Sequence, residues 1–130
     1  MSVLVIDDDE LVLRMFGRVL RKHELTLVGR AQEALERIQA GEAFDVILCD
    51  VHMPAMGGVA FHEELARRQP ALADRVVFMA GGSSSDEDEA FFEVHDVLMK
   101  PFRLAEFEDR VLRLGALESG TRMCAPPSRR

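Results

Sequence analysis

The sequence predicts an α/β fold, a doubly wound parallel sheet with helices on both faces. Short apolar runs without polar alternation are typical of strands that are buried on both sides. Helical patterns separate these runs, so successive strands are expected to be parallel and joined by right-handed crossovers. A length of 130 residues with 48% hydrophobic composition fits one globular domain with a core of ordinary size.

Four runs are predicted to be buried strands, and a fifth is predicted to lie at an edge of the sheet. The buried runs are VLVI (3–6), DVILC (45–49), RVVFM (75–79) and DVLM (96–99). The fifth run, LTLV (25–28), is interrupted by Thr26, and this polar residue suits an edge strand better than a central one.

Apolar residues at helical spacing fill the segments between the strands. The first helix is predicted to run from an N-cap at Asp9 to about Lys22. Its buried face is expected to carry Leu11, Val12, Met15, Phe16, Val19 and Leu20. Further helices are predicted at 31–40 with Gly41 closing it, at 58–68 with Pro70 ending the region, at 86–94 and at 104–114.

One domain is predicted over residues 1–114. Residues 115–130, GALESGTRMCAPPSRR, lack periodicity and are expected to be a disordered tail or a linker. The net charge of -7 argues against a nucleic-acid binder, which would normally show a basic face. No apolar run approaches the roughly 18 residues of a membrane span, and the N-terminus lacks a signal-peptide pattern. Two cysteines form no disulfide framework, so a cytoplasmic location is expected.

Acidic residues follow two of the predicted strands at the point where each strand ends. Asp7 and Asp8 follow the first strand, and Asp50 follows the third. These strands are neighbours in a doubly wound sheet, whose ligands bind beyond the carboxyl ends of the strands. Lys100 follows the last strand at the same edge, so three carboxylates and one ammonium leave a local charge of -2. Carboxylate oxygens suit Mg²⁺, which would bring this charge near zero. The alternative is that the acids only favour a helix N-terminus, which is the preferred interpretation for Asp9.

Four motifs resemble the receiver domains of two-component response regulators. They are VLVIDDDE, VILCDVHMPAMGG, VVFMAGG and LMKPF, and the resemblance covers roughly residues 2–114. It implies a flavodoxin-like fold with five parallel strands in the order 2-1-3-4-5. It also implies a signalling module that undergoes self-phosphorylation and self-dephosphorylation and has no other enzymatic activity.

The resemblance also implies a role for each residue of the acidic site. Asp50 is the phosphoacceptor and one of the metal ligands. Asp8 binds Mg²⁺ directly, and Asp7 binds it directly or through water. The backbone carbonyl of His52 completes the protein ligands, and Lys100 pairs with the phosphoryl group.

Two positions depart from the pattern of the family. Ala80 stands at the end of the fourth strand, where the family usually has a Thr or Ser whose hydroxyl binds the phosphoryl group. Val97 stands on the fifth strand, where the family often has an aromatic residue that moves with that hydroxyl. Phosphate acceptance is expected to survive, while the conformational response is expected to be weaker. Backbone amides of Gly81 and Gly82, or of Ser83 to Ser85, are an alternative source of the missing donor.

These departures leave a second interpretation open, that of a pseudo-receiver whose output is independent of phosphorylation. A third interpretation is a phosphohydrolase of the dehalogenase type, because DDD contains an Asp-x-Asp pair after a strand. Glu10 and Leu11 follow that pair, where the dehalogenase family has Thr or Val, and this disfavours the third interpretation.

Partners are implied by the same resemblance. A histidine kinase or a histidine phosphotransfer domain is expected to supply the phosphoryl group, and the signal is expected to pass by contact with another protein. No nucleic-acid or membrane partner is expected. The surface formed by the predicted helix 86–94, strand 96–99 and helix 104–114 is expected to serve for output or for a weak homodimer.

Overall fold

A parallel sheet of five strands forms the centre of the molecule. The computed structural model describes residues 2–53, 55–81, 97–100 and 105–110, and only the backbone of Gly81 and Lys100. The strands are β1 (Ser2–Ile6), β2 (Glu24–Val28), β3 (Val46–Asp50), β4 (Val76–Gly81) and β5 (Val97–Lys100). Their order is β2-β1-β3-β4-β5, and every pairing is parallel. The predicted fold is confirmed, and β2 lies at an edge as Thr26 indicated.

Helices connect the strands. They are α1 (Glu10–Val19), α2 (Ala31–Gln39), α3 (Gly58–Arg68) and the short α4 (Pro70–Ala73), and residues 105–110 are also helical. Pro70 was expected to end a helical region but instead begins α4, because proline is tolerated in the first turn of a helix. The predicted helix 86–94 and the tail 115–130 lie outside the described residues. None of the described helices has the length and apolarity needed to cross a bilayer.

Two buried clusters cover the two faces of the sheet. Leu4 and Ile6 of β1 point to the side of α2 and α3 and join one cluster, which includes Phe61 and Leu65 at 0% exposure. Val3 and Val5 point to the other side and join the second cluster. That cluster also contains Phe16, Leu20, Val77, Met79, Leu98 and Phe107. Both faces of the central strands are therefore buried, which explains why their sequences are continuously apolar.

Helix α1 begins as predicted but presents a different face to the core. The Asp9 side chain accepts a hydrogen bond of 2.9 Å from the amide of Leu11, which confirms the N-cap. Phe16 and Leu20 are buried, but Leu11, Met15 and Val19 are exposed. The six apolar residues of the predicted face span about half of the helical circumference at 100° per residue. Only part of so wide an arc can face the sheet.

Candidate functional site

The loop after β1 places two carboxylates at the carboxyl end of the sheet. The amide of Asp7 donates to the carbonyl of Val28 at 3.1 Å, which extends the β1–β2 pairing by one residue. The Asp7 side chain is 0% exposed, and its Oδ1 accepts a 3.0 Å hydrogen bond from the amide of Asp9. Asp8 is exposed. Asp7 is thus fixed inside the site, while Asp8 faces its solvent side.

Asp50 is the last residue of β3 and is 7% exposed. Its neighbours β1 and β4 hold it in register, since Cys49 pairs with Ile6 and Asp50 pairs with Met79. Its Oδ1 accepts a 3.2 Å hydrogen bond from the amide of His52. Two acidic side chains, Asp7 and Asp50, are therefore buried at the ends of adjacent strands.

The three carboxylates converge as the sequence predicted. Asp7, Asp8 and Asp50 each offer a carboxylate oxygen, and these atoms lie within 4.8 Å of one another. Like charges at this separation repel, and a bound cation offsets that repulsion. Hard oxygen donors in a partly open cluster fit Mg²⁺, which keeps several waters and commonly takes one or two carboxylates.

The loop between β3 and α3 packs directly against the backbone of β3. The amide of Gly58 donates to the carbonyl of Val51 at 2.9 Å. A Cβ at position 58 would lie 2.8 Å from the carbonyl oxygen of Asp50 and 2.9 Å from Cα of Val51. Ala55 in the same loop has a φ of 66°, a left-handed conformation that is uncommon for alanine. This loop is therefore tightly constrained beside Asp50.

The close contact of Gly58 with the backbone of Asp50 is a feature that the sequence does not predict. The GG pair at 57–58 is typical of a sharp change of direction. The contact with Asp50 depends on how closely α3 approaches β3, and the spacing of residues along one segment does not reveal that distance.

Strands β4 and β5 carry the remaining predicted site positions. The backbone of Lys100 pairs with Gly81, two residues beyond the level of Asp50 and Met79, which places Lys100 at the carboxyl end of the sheet. Its side chain lies outside the described part of the structure. Ala80 is 2% exposed in the core cluster on the α2–α3 side, and Val97 packs against the same cluster.

Ala80 and Val97 therefore share one apolar environment. An alanine side chain has no hydrogen-bond donor, so this cluster contains no hydroxyl at position 80 that could bind an oxyanion. The main chain of Gly81 is described as part of β4, whereas Gly82 lies outside the described residues.

Cys49 lies directly before Asp50 and is fully buried. Its Sγ contacts the carbonyl oxygen of Asp50 at 3.4 Å. Burial raises the pKa of the thiol far above its usual range, and the charges of Asp50 and Asp7 raise it further. The thiol is therefore protonated at neutral pH and is a poor nucleophile.

Two histidines follow Asp50 along the chain, His52 in the loop after β3 and His62 in α3. His52 has an exposed side chain, and its backbone forms the edge of the site. His62 is partly buried. Its ring Nε2 lies 3.2 Å from the carbonyl of Ala73, and the ring packs edge-on against Phe78. Helix α4 supplies that carbonyl, and this helix was absent from the predicted elements.

Comparison with known proteins agrees with the fold and the site. The family model for the response regulator receiver domain matches residues 3–112. Over 113 residues the chain is 31% identical to the two-component response regulator ARR11 of Arabidopsis thaliana and 34% identical to the transcriptional activator protein PfeR of Pseudomonas aeruginosa. Each match covers 83% of this chain, which spans only 21% of the first relative and 35% of the second.

Solved structures show the same architecture. A response regulator receiver domain protein from Clostridium thermocellum superposes with a TM-score of 0.79 at 20% identity, covering 91% of this chain and 96% of that one. A putative response regulator from Chloroflexus aurantiacus superposes with a TM-score of 0.75 at 28% identity, covering 88% and 97% of the two chains. The strand order, the position of the carboxylates and the match over residues 3–112 lead to one conclusion: the chain belongs to the family of response regulator receiver domains.

Proposed function

We propose that this receiver domain accepts a phosphoryl group on Asp50 from a phosphohistidine of a histidine kinase or a histidine phosphotransfer domain. The observation that carries the proposal is the convergence of Asp7, Asp8 and Asp50, whose oxygens lie within 4.8 Å of one another at the carboxyl ends of β1 and β3. Receiver domains interact with such kinases or phosphotransfer proteins, and they are signalling modules rather than classical enzymes. We also propose that the protein is located in the cytoplasm.

In this proposal Asp7, Asp8, Asp50 and the backbone carbonyl of His52 hold Mg²⁺. Receiver domains bind Mg²⁺ through acidic residues, and the oxygen donors present here fit it. The ion supplies positive charge beside the transferred oxygens. The buried Asp7 is held by the amide of Asp9, which preorganises its carboxylate in the site.

The transfer step uses Asp50 as the nucleophile. One carboxylate oxygen forms a bond to phosphorus while the P–N bond of the phosphohistidine breaks, and the released imidazole keeps the electron pair and takes up a proton. The His52 amide bonded to Oδ1 fixes the orientation of the carboxylate for in-line attack. The backbone of Lys100 lies at the carboxyl end of β5, two strands away from β3. In the proposal its ammonium places positive charge beside the transferred oxygens.

The conformational response is proposed to be atypical because of Ala80 and Val97. A hydrogen bond to a charged oxygen contributes about 1.5–3 kcal/mol, which matches a typical allosteric coupling of about 1–3 kcal/mol. Losing the hydroxyl at position 80 can therefore remove most of the coupling while leaving the acceptor chemistry in place. The second candidate function is a pseudo-receiver, and it is favoured by the apolar cluster in which both side chains lie.

Labelling by a small-molecule phosphodonor tests the proposal. The protein is incubated with acetyl phosphate with and without Mg²⁺, and intact mass is measured. A species heavier by about 80 Da, one phosphoryl group, is expected only with Mg²⁺ and is expected to be absent in Asp50→Asn. Asp45→Asn is the matched control, because it makes the same change at the opposite end of the sheet. No label in the native protein under any condition would favour the pseudo-receiver.

A further inference from the structure

A cleft of about 550 Å³ lies at the amino end of the sheet, between the end of α2 and the short helix α4. Asp45 lines it and directly precedes β3, whose last residue is Asp50. Five steps of about 3.3 Å along a strand separate these two residues by about 16 Å, so the cleft is distinct from the acidic site. We call it the amino-end cleft, and it is lined by Ile38, residues 41–45, Gln69, residues 71–72 and Arg75.

The floor of the amino-end cleft is apolar. Ile38 and Phe44 are only 6% and 7% exposed and belong to the core cluster on the α2–α3 side, and the half-buried Leu72 packs against the same cluster. A second cavity of about 270 Å³ adjoins the cleft at Ile38 and extends between α2 and α3. Concave sites of about 300–1,000 Å³ with an apolar interior and a few polar groups are typical of small-molecule binding.

The rim of the cleft favours positive charge in a ligand. Glu42 and Asp45 are both exposed there, and Arg75 is the one cation among the residues that line it. Helices α2 and α3 also end at the cleft, at Gln39 and Arg68. Because the C-terminus of a helix carries a partial negative charge, both helix ends add to the effect of the two acids.

The cations already present leave room for another one. The guanidinium of Arg75 donates to the carbonyl of Asp45 at 3.3 Å and lies 4.0 Å from its carboxylate. Arg37 approaches Glu42 at 3.2 Å but does not line the cleft. A carboxylate has about four acceptor sites on its two oxygens, so each acid can accept a further hydrogen bond while it keeps its arginine. An anionic ligand would instead compete with Asp45 for Arg75.

We propose that the amino-end cleft binds a small organic cation, a primary ammonium carried on an aromatic or short aliphatic body. The ammonium binds the carboxylates of Glu42 and Asp45, and the body covers Ile38, Phe44 and Leu72. An inorganic cation fits less well, because it would leave the apolar floor exposed to water. The inference goes beyond the proposed function, since binding at this end of the sheet requires neither Asp50 nor a phosphoryl group.

Three indoles that differ in the charge of one group test this proposal. Tryptamine is a cation, tryptophol is neutral and indole-3-propionate is an anion. Each is titrated into the native protein in the presence of Mg²⁺ and followed by NMR. Tryptamine is expected to bind about tenfold more tightly than either of the others, to shift the amides of residues 41–45 and 71–75, and to weaken as salt is raised.

Two further titrations separate the contributions to binding. Methylammonium, which has the charge without the apolar body, is expected to bind more weakly than tryptamine by at least tenfold. Asp50→Asn is expected to bind tryptamine as the native protein does. Failure of Asp50 to accept phosphate would therefore leave this inference standing, and failure of the indoles to bind would leave the proposed function standing.

Substitutions in the cleft sharpen the test. Glu42→Gln with Asp45→Asn is expected to weaken tryptamine about tenfold, to the level of tryptophol. Glu10→Gln with Glu63→Gln removes the same charge from exposed positions outside the cleft and is expected to leave the preference unchanged. Ala71→Phe fills the cleft from an exposed position of α4 and is expected to weaken all three indoles.

Circular dichroism verifies that these variants fold. The proposal is overturned if the three indoles bind alike, if none of them binds, or if methylammonium binds as tightly as tryptamine. It is also overturned if the shifted amides lie at the carboxyl end of the sheet, or if the two pairs of acid substitutions have the same effect.

Discussion

The two ends of the sheet treat charge in opposite ways. At the amino end, Asp45 accepts a 2.8 Å hydrogen bond from the amide of Ser2 and lies 4.0 Å from the guanidinium of Arg75. At the carboxyl end, three carboxylates are gathered within 4.8 Å. Opposite charges stabilise the fold where the strands begin, whereas like charges gather where they end. Departures of this kind from the best arrangement for stability are typical of functional sites.

The backbone shows the same contrast. Ala55, which is left-handed, lies in the loop between β3 and α3, and the closely packed Gly58 is the first residue of α3; both are at the carboxyl end. Gly41 at the amino end also has a positive φ, but nothing lies within 4 Å of the Cβ that it lacks. The carboxyl end is therefore constrained by packing as well as by charge.

Substituting Gly58 is expected to have the largest effect. Gly58→Ala forces a Cβ to within 2.8 Å of the Asp50 carbonyl, so α3 or the acceptor strand must shift. We expect the free energy of unfolding to fall by about 2–3 kcal/mol and labelling to slow, because overpacking displaces the nucleophile. Denaturant unfolding and the rate of phosphoryl labelling measure the two effects.

Gly17→Ala on α1 is the matched control, since its added Cβ meets only Leu27 at an ordinary 3.7 Å. Replacing glycine within a helix is expected to stabilise it by up to about 1 kcal/mol without changing the labelling rate. Equal behaviour of the two alanine variants would contradict a close contact at Gly58.

Removing one carboxylate at each end of the sheet is expected to change stability in opposite directions. Without divalent cations, Asp7→Asn should raise the free energy of unfolding by about 1 kcal/mol, because it relieves repulsion and keeps the oxygen that binds the Asp9 amide. Asp45→Asn should lower it by up to about 1 kcal/mol, because it weakens the pair with Arg75. Added Mg²⁺ should stabilise the native protein and Asp45→Asn but not Asp7→Asn. Mg²⁺-dependent thermal unfolding tests this, and equal stabilisation of both variants would contradict the assignment.

Restoring the missing hydroxyl tests the atypical switch. Ala80→Thr adds a donor at the buried end of β4, and Ala80→Val adds a group of the same shape without one. Phosphorylation is expected to change the hydrogen exchange of backbone amides more in Ala80→Thr than in the native protein. The coupling free energy between phosphorylation and the conformational change is expected to be larger in the variant by up to about 1.5–3 kcal/mol, the contribution of one hydrogen bond to a charged oxygen. The chain contains no Trp or Tyr, so hydrogen exchange is preferable to intrinsic fluorescence. The same response in Ala80→Val would show that shape, and not the hydroxyl, limits the native switch.

A further prediction concerns pH and Cys49. Well below pH 8.5 the thiol is protonated in both states and contributes no pH dependence. Above it, the thiol ionises in the unfolded chain, where its pKa is about 8.5, while burial keeps it protonated in the fold. Stability should therefore fall by up to about 1.4 kcal/mol per pH unit above pH 8.5. Between pH 8 and 10, the free energy of unfolding measured with denaturant should fall less steeply in Cys49→Ala than in the native protein. Parallel pH profiles of the two proteins would contradict this role of the thiol.

The sequence was sufficient to predict the sheet and the carboxylate cluster. Strands buried on both faces are continuously apolar, and parallel topology brings their ends together, so the neighbourhood of Asp7 and Asp50 follows from strand order. The packing of individual helices did not follow. Leu11, Met15 and Val19 fit a helical period, but the period does not say which half of an arc of six apolar residues faces the sheet.

Details that depend on distances between elements were likewise not predictable. The contact between Gly58 and the Asp50 carbonyl depends on the approach of α3 to β3. The burial of His62 depends on α4, a four-residue helix with no periodic signal of its own. Such features are set by tertiary packing, which a local pattern does not encode.

Locating the phosphoryl group tests the proposed acceptor chemistry. The labelled protein is treated with borohydride, which reduces an aspartyl phosphate to homoserine, and its peptides are mapped by mass spectrometry. The result expected here is homoserine at position 50 alone, formed in the native protein and in Asp45→Asn only when Mg²⁺ is present, and absent in Asp7→Asn. Modification at another residue, or labelling of Asp50 that is indifferent to Mg²⁺ and to Asp7, would contradict it.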